Sequence, residues 1–248
     1  MEQTAAPGTG RILDYWYGGT HHTEADRAAA QAFEGIYPDI PHVFLTLRAY
    51  KGWMARYIEA QGIDQFIVFG AGIPSHGNVH EAVRAARVLY TDIDPLCVSY
   101  GQQILAEVPN ADYTFCDITD LSTLDPAVIE RVLDLQKPVG VICVGVSVFL
   151  TDEQVGAVFD ALNAWLPRGS YLGLDFDGEG WSHFPGIVSA IASAGSPLHM
   201  RSPETIKPLI ARWELVGQGL VPASATQRGI PSTVNTDAVF MYGAVVRV

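Results

Sequence analysis

A glycine-bearing segment follows the first apolar run that is typical of a buried strand. The run is Phe-Ile-Val-Phe at 66–69, and Gly70, Ala71 and Gly72 come directly after it. Glycines let a backbone approach a ligand closely, and the N-terminal end of a following helix adds positive charge. The segment continues as Ile-Pro-Ser-His-Gly and not as G-x-G-x-x-G, which weakens a dinucleotide-binding interpretation. A turn that simply needs glycine is the alternative.

Acidic side chains end the next two predicted strands. Asp92 follows the second strand, at 88–91, and lies twenty residues after Gly72. A carboxylate at this position can accept hydrogen bonds from both hydroxyl groups of a ribose. Asp117 follows the third strand, at 113–115, where it could meet the amino group of an adenine. The three strand ends together predict a nucleoside cofactor, and NAD and S-adenosylmethionine both carry such a ribose.

The first quarter of the chain, which precedes these strands, carries helix signals only. Thr23 and Asp26 have the spacing of a capping box, with Asp in place of the usual Glu or Gln. Apolar residues over 43–57 recur at approximately helical spacing, and Gly62 is typical of the residue that follows a helix. We therefore predict an N-terminal helical cap over residues 1–62.

Over residues 63–248, short strands alternate with helices. The helix after the fourth strand begins with a second capping box, from Thr151 to Gln154. Continuous apolar strands that alternate with helices predict a parallel sheet covered on both faces, here as a single α/β domain. Two further strands, joined by a polar loop over 223–236, predict a terminal hairpin; they lie at 214–216 and 239–248.

Other segments of the chain are distinctive as sequence motifs. The most specific are RILDYWYGG at 11–19 and GNVHE at 77–81, with DIDP at 92–95 and LPRGSYL at 166–172 beside them. They resemble a bacterial S-adenosyl methyltransferase family first catalogued as a domain of unknown function, and the resemblance spans nearly the whole chain. It implies an α/β, Rossmann-like class I methyltransferase fold. Such a fold has a seven-stranded, mostly parallel sheet with an antiparallel C-terminal strand, here with the N-terminal helical cap.

The resemblance also implies the cofactor and its contacts. S-adenosylmethionine would be held by the loop at 70–75, with Asp92 on the ribose and Asp117 at the adenine, and the N-terminal helix would close over it. The residues expected at the cofactor are Arg11, Tyr17, Gly70, Ala71, Gly72, Ser75, Asn78, Asp92, Ile93, Asp117 and Ile118.

Candidates for the chemistry lie in the cap and at two strand ends. A histidine is the natural general base near neutral pH, and His21 lies in the loop between the first two helices, where a solvated loop is the alternative. Tyr15 or Tyr17 could set a ring face against the sulfonium cation, a contact worth roughly 0.5–2 kcal/mol, although at least one of the local aromatic rings must pack in the core. Asp175 and Asp177, after the fifth strand, could bind an amine or take a proton, or they could equally be surface loop residues. The predicted catalytic residues are His21, Asp175, Tyr15 and Ser147.

Two functions fit this cofactor. One is a methyltransferase that acts on a small molecule, with specialised metabolism as the expected setting; in-line displacement mainly needs alignment and exclusion of water. The other is an intramolecular cyclase or lyase that releases methylthioadenosine. The chain departs from the family pattern at Val68, where an acidic residue is usual, at Val148, where His is usual, and at 223–227, where a Trp-containing stretch is usual. These departures keep the second function open.

Composition restricts the partners. The 248 residues are 48% hydrophobic with a formal net charge of −12, and the 15 Lys and Arg residues are scattered. Nucleic acids and anionic membranes need clustered cations, so we predict a small-molecule partner and neither of those. His76 and His80 have metal-pair spacing but no third ligand, so no metal is predicted. Three separated cysteines predict buried thiols, and without a secretion signal or transmembrane run we expect a cytoplasmic protein of undetermined oligomeric state.

Overall fold

The computed structural model describes residues 6–193, 197–226 and 239–248. Its helices are α1 (Thr9–Trp16), α2 (Glu24–Ile36), α3 (Ile40–Glu59), α4 (Val79–Ala82), α5 (Pro95–Leu105), α6 (Pro126–Val132), α7 (Asp152–Trp165), α8 (Pro185–Ser193) and α9 (Pro203–Leu209). Its strands are β1 (Gln65–Phe69), β2 (Arg87–Asp92), β3 (Ala111–Phe115), β4 (Gly140–Cys143), β5 (Tyr171–Asp177), β6 (Glu214–Pro222) and β7 (Met241–Arg247). Among the described residues, no helix is both long and apolar enough to cross a membrane. The predicted burial of the thiols is confirmed for Cys97, Cys116 and Cys143.

The strands form one sheet in the order β3-β2-β1-β4-β5-β7-β6. Neighbours among β1 to β5 are parallel, whereas β7 runs antiparallel to both β5 and β6. The strand order reverses between β1 and β4, so ligands are expected beyond the carboxyl ends of the strands near this point. The predicted seven-stranded, mostly parallel sheet with an antiparallel C-terminal strand is confirmed.

The C-terminal hairpin is longer than the sequence pattern predicts. β6 continues through a register shift in its pairing with β7 and ends only at Pro222. Gly217 and Gly219, close to this shift, have φ angles of 64° and 78°, a conformation that favours glycine. The two glycines look like a strand end in sequence, but they form an irregularity inside a continuous strand. The predicted loop over 223–236 begins with a short 3-10 turn (Ala223–Thr226), and its remainder lies outside the described residues.

Both predicted capping boxes form. The backbone N–H of Asp26 donates to Thr23 Oγ1 at 3.3 Å, and the N–H of Thr23 donates to the Asp26 carboxylate at 2.7 Å. Thr151 and Gln154 make the same pair of bonds at the start of α7. The partners in each box lie three residues apart, so a local sequence signal was enough to predict them.

Helix α3 packs directly on the sheet. Tyr50, Met54 and Ile58 recur at four-residue spacing on one face of α3 and are completely buried. Each lies against a strand position where a Cβ atom would crowd it, and these positions are Gly243 in β7, Gly173 in β5 and Gly140 in β4. A row of glycines across three adjacent strands therefore provides the groove for α3. The predicted boundary at residue 62 between the cap and the α/β domain stays a prediction. Helix α3 covers a face of the sheet, and α1 and α2 are the helices that can form the cap.

Candidate active site

The loop after β1 needs both of its glycines and is held by the neighbouring strands. Gly70 and Gly72 have φ angles of 59° and 64°, in the left-handed region that favours glycine. The N–H of Ala71 donates to the Thr91 carbonyl at 2.9 Å, and the hydroxyl of Tyr113 donates to the Gly72 carbonyl at 2.7 Å. The loop is therefore anchored over the carboxyl end of β2 by the protein's own contacts.

Asp92 ends β2 beside this loop. One of its carboxylate oxygens accepts from the N–H of Gly72 at 2.8 Å, and the other accepts from the N–H of Asp94 at 2.9 Å. Burial raises the pKa of Asp92. A carboxylate oxygen has more than one lone pair, so Asp92 could hold the loop and accept a ribose hydroxyl together. The next side chain, Ile93, is 58% exposed and offers apolar surface of the kind that suits the face of a base.

The predicted adenine residues follow β3. Asp117 is half-buried, and one of its oxygens accepts from the backbone N–H and the hydroxyl of Thr119 at 2.9 and 2.7 Å. Ile118 is buried beside it. Because β3, β2 and β1 are adjacent in the sheet, Asp117, Asp92 and the glycine loop lie at successive strand ends. This is the order that an extended nucleoside would need.

Helix α1 lies directly on the glycine loop. A Cβ atom at Gly10 would be 3.0 Å from Gly72 Cα and 2.9 Å from Cys97 Sγ, so only glycine allows this approach. The next residue, Arg11, is buried and donates through Nε to the Asp26 carboxylate at 3.1 Å, while Nη1 donates to the Asp94 carboxylate. Arg11 thus ties α1 to α2 and to the end of β2, and its predicted contact with the cofactor stays a prediction.

The helix expected after the glycine loop is short and begins late. α4 contains only four residues, and Asn78 precedes it, donating to Glu81 Oε1 through its backbone N–H at 2.9 Å and through Nδ2 at 3.1 Å. Ser75 Oγ, in the connecting loop, is buried with no hydrogen-bond partner in the described part of the chain. His80 Nδ1 lies 2.8 Å from the Tyr90 hydroxyl. Asn78 therefore helps to cap the helix, and the predicted contacts of Asn78 and Ser75 with the cofactor stay predictions.

The carboxyls predicted to follow the fifth strand, Asp175 and Asp177, lie inside it and are buried, because pairing with β7 continues β5 to Asp177. Asp175 accepts from the N–H of Gly145 at 2.8 Å through Oδ1, and its buried Oδ2 has no hydrogen-bond partner among the residues described. Burial raises the pKa of Asp175 to about 7. Burial and the nearby Asp175 charge also raise the pKa of Asp177. Ser147, another predicted catalytic residue, donates its hydroxyl to the Asp175 carbonyl at 2.7 Å and is buried. Asp175 is therefore the better placed of these groups to meet a reactant.

Asp14, which the sequence analysis did not single out, organises the predicted His21 and its neighbour His22. Asp14 is 1% exposed, and its Oδ2 accepts from the backbone N–H of His21 at 2.8 Å and lies 3.0 Å from His22 Nδ1. Its Oδ1 has no hydrogen-bond partner within the described residues. The His21 ring lies 5.3 Å from the ring of Tyr100 on α5, and Tyr15 packs edge-on against His22 at 5.2 Å. The position of Asp14 inside the RILDYW motif was the available signal.

Two basic residues of α3 were also missed. Arg48 places its guanidinium carbon 4.1 Å from the ring centre of Tyr17, so one face of this predicted cation-binding ring is already covered. Burial lowers the pKa of Lys51 to about 8. Burial raises the pKa of Tyr17, whose hydroxyl donates to the Phe44 carbonyl at 3.2 Å. In sequence, these cations look like the solvated side of an amphipathic helix.

Several buried polar atoms around this edge lack hydrogen-bond partners in the described chain. Each such atom costs about 1–3 kcal/mol unless something satisfies it. They belong to α1 and the loop after it, to α3, to the loop after β1 and to β5, and they are Asp14 Oδ1, His21 Nδ1, Arg48 Nη2, Ser75 Oγ and Asp175 Oδ2. Together with the glycine loop and Asp92, this arrangement fits a polar nucleoside cofactor that carries an amino-acid group.

Comparison with protein families matches residues 2–248 to a family described as S-adenosyl methyltransferase. The chain belongs to this family. Its predicted cofactor, S-adenosylmethionine, and its assignment as a methyltransferase are thereby confirmed. The ribose pattern alone had left NAD open, and the family excludes that alternative. No curated protein matches the chain.

Solved structures agree with this assignment. A DUF574 family protein from Streptomyces avermitilis is 29% identical with a TM-score of 0.85, and the match covers 98% of this chain and 97% of that one. A candidate methyltransferase from Thermobifida fusca is 26% identical with a TM-score of 0.87, covering 99% and 96%. A magnesium protoporphyrin IX methyltransferase from Synechocystis, with bound S-adenosylhomocysteine, is 16% identical with a TM-score of 0.57, covering 96% and 93%. At that identity it supports the class I fold alone.

Proposed function

We propose that this enzyme methylates a small molecule bound beside Asp175, between the cap and the carboxyl edge of the sheet. The observation that carries the proposal is the buried Oδ2 of Asp175, which has no hydrogen-bond partner within the described ranges. This carboxyl lies at the end of β5, and burial raises its pKa to about 7. Its carboxylate form can therefore remove a proton from the methyl-accepting molecule near neutral pH. Lys51 is close enough for its charge to oppose that rise, so both signs of charge are present near Asp175.

The cap supports a small acceptor over a macromolecular one. Helix α1 lies against the glycine loop, and an aromatic chain runs from the cap to the segment after β5. In this chain Trp16 stacks on Phe44 at 5.2 Å, and Phe44 stacks on Trp181 at 6.0 Å. The net charge of −12 also disfavours polyanionic acceptors.

The roles of the residues follow from their positions. The glycine loop, Asp92 and Asp117 would hold the nucleoside, and α1 would exclude water from above. S-adenosylmethionine, when bound, would supply an electrophilic methyl carbon to the acceptor's lone pair, and the electrons of the broken carbon–sulfur bond would remain on sulfur. Asp175 Oδ2 would receive the proton that the acceptor atom loses. Ser147 would position β5 through its bond to the Asp175 carbonyl.

The test combines mass spectrometry with one variant. The wild-type protein is incubated with S-adenosylmethionine alone and with panels of small amines, phenols and carboxylic acids. Acceptor-dependent S-adenosylhomocysteine, with a rate that rises as the pH passes about 7, would support the proposal. In the Asp175→Asn variant this rate should be at least a hundredfold lower, in line with the loss of general-base catalysis. As a matched control, Asp160→Asn changes an exposed carboxyl on α7 and should keep it.

Two results would overturn the proposal. Methylthioadenosine formed without any acceptor would show the intramolecular displacement instead of methyl transfer. A full rate in Asp175→Asn, with the same pH profile as the wild type, would remove Asp175 from the proton transfer.

A further inference from the structure

Helices α1 and α3 bring a buried anion and a half-buried cation close enough for their charges to interact. The anion is Asp14 on α1 and the cation is Arg48 on α3. Asp14 Oδ1 and Arg48 Nη2 are both buried and have no hydrogen-bond partners in the part of the chain that the structure describes. The cofactor's amino-acid end carries the complementary charges, an ammonium and a carboxylate.

Helix geometry sets Asp14 toward the loop. Gly10 and Asp14 are four residues apart and therefore lie along one side of α1, and Tyr17 directly follows the end of this helix. Gly10 touches Gly72, which fixes that side against the glycine loop. Asp14 therefore lies on α1 between the contact with Gly72 and the ring of Tyr17.

The double glycine of the motif makes room for this carboxylate. A Cβ atom at Gly19 would overlap Asp14 Oδ1 and Cγ. The other oxygen, Oδ2, is held by the N–H of His21 and by His22 Nδ1. The carboxylate is thus fixed through one oxygen while the other keeps its acceptor capacity.

Arg48 approaches the same place from α3. Its Nε lies 3.5 Å from the Gly77 carbonyl, in the loop after β1, and its guanidinium covers the Tyr17 ring. Burial lowers the pKa of Arg48, and the charge of Asp14 is among those that oppose the change. No ion pair joins Arg48 to any residue in the described ranges. A guanidinium of this kind is suited to a carboxylate ligand.

We propose that Asp14 and Arg48 form a zwitterion subsite that binds the α-ammonium and α-carboxylate of the cofactor's amino-acid end. Asp14 Oδ1 accepts from the ammonium, and Arg48 Nη2 donates to the carboxylate. Ser75 Oγ, on the facing loop, can serve either group. β1 itself supplies no charged group, because it is Gln-Phe-Ile-Val-Phe and buried throughout.

The subsite has a consequence for selectivity. Helix α1 of the cap and helix α3 on the sheet would each contact the amino-acid end, so ligands that carry it would hold α1 against the loop. Methylthioadenosine has the same nucleoside and thioether sulfur but lacks the amino-acid group. The protein should therefore bind S-adenosylhomocysteine much more tightly than methylthioadenosine.

Calorimetry with these two ligands tests the subsite without any acceptor. The wild type should bind S-adenosylhomocysteine at least tenfold more tightly than methylthioadenosine. Asp14→Asn replaces the accepting oxygen by a donor, and Arg48→Gln removes the guanidinium. Each variant should weaken the binding of S-adenosylhomocysteine about ten- to a hundredfold. Both variants should bind methylthioadenosine with an affinity within about twofold of the wild type. Arg56→Gln, an exposed arginine two turns later on α3, is the matched control and should change neither ligand.

The proposal fails if both variants bind S-adenosylhomocysteine as the wild type does. It also fails if the affinities for the two ligands fall by the same factor, because that would show a disturbed cap and not a lost charge contact. Should Asp14→Asn fold poorly by circular dichroism, Arg48→Gln alone decides. The outcome does not depend on the acceptor or on Asp175, so it can fail while the proposed methyl transfer stands, and the reverse.

Discussion

The contact between α1 and the glycine loop can be tested by adding a single methyl group at Gly10. The change Gly10→Ala would place Cβ 3.0 Å from Gly72 Cα and 2.9 Å from Cys97 Sγ. The Cys97 sulfur can move, but the backbone of Gly72 is held by Asp92 and Tyr113. We expect α1 to shift away from the loop by a few tenths of an ångström.

The magnitude follows from two opposing effects. Replacing glycine by alanine within a helix stabilises it by up to about 1 kcal/mol. Overpacking of a close contact costs about 1–3 kcal/mol. The control Gly156→Ala, in α7, has the first effect without the second, since no described residue beyond its own helix backbone lies within 4 Å of the added Cβ. The free energies of unfolding of the two variants should therefore differ by about 1–3 kcal/mol, with Gly10→Ala the less stable.

Urea unfolding followed by circular dichroism measures this difference. With a urea dependence of about 3 kcal/mol per molar, the two midpoints should differ by about 0.3–1 M. Gly10→Ala should also bind S-adenosylhomocysteine more weakly, because Asp14 moves with α1, whereas Gly156→Ala should bind it normally. Equal stabilisation of both variants, with unchanged affinity, would refute the close contact between α1 and the loop.

Two further predictions concern carboxyls of the sheet edge. Asp92→Ala should weaken the binding of S-adenosylhomocysteine about ten- to a hundredfold, as measured by calorimetry. The change removes charge-assisted bonds to the ribose and also the anchor of Gly72. Unchanged affinity would place the nucleoside elsewhere. Burial raises the pKa of Asp177 to about 8 in the folded protein, so the folded state holds its proton more tightly than the unfolded state. Folding stability is then lost as the pH rises toward about 8. The Asp177→Asn variant lacks this loss. The difference between its urea midpoint and that of the wild type should therefore shift in favour of the variant from pH 5 to pH 8. A difference that does not change with pH would contradict the burial of this carboxyl.

Local patterns explain what could be predicted of the fold. Strands alternate with helices at short range, and capping boxes lie within four residues, so neither depends on distant parts of the chain. The β6 strand was predicted too short because Gly217 and Gly219 look like a terminus in sequence. Only the pairing of β6 with β7 keeps the strand continuous through them.

The nucleoside end of the site was likewise accessible from sequence. In a parallel sheet, residues that directly follow strands meet at one edge, so Gly70, Asp92 and Asp117 could be placed together without a structure. The family resemblance then distinguished S-adenosylmethionine from NAD. No similar rule applies to residues on helices, because the face that a helix turns toward a ligand depends on how it packs.

The sequence by itself determined the order of elements, the strand-end residues and the cofactor. Only the tertiary structure brought Asp14 and Arg48 close enough for their charges to interact, because their helices are separate in sequence and are positioned by long-range packing. The glycines of β4, β5 and β7 fix α3, and the close approach of Gly10 to Gly72 fixes α1. Such contacts depend on shape complementarity between distant segments, which no local pattern records.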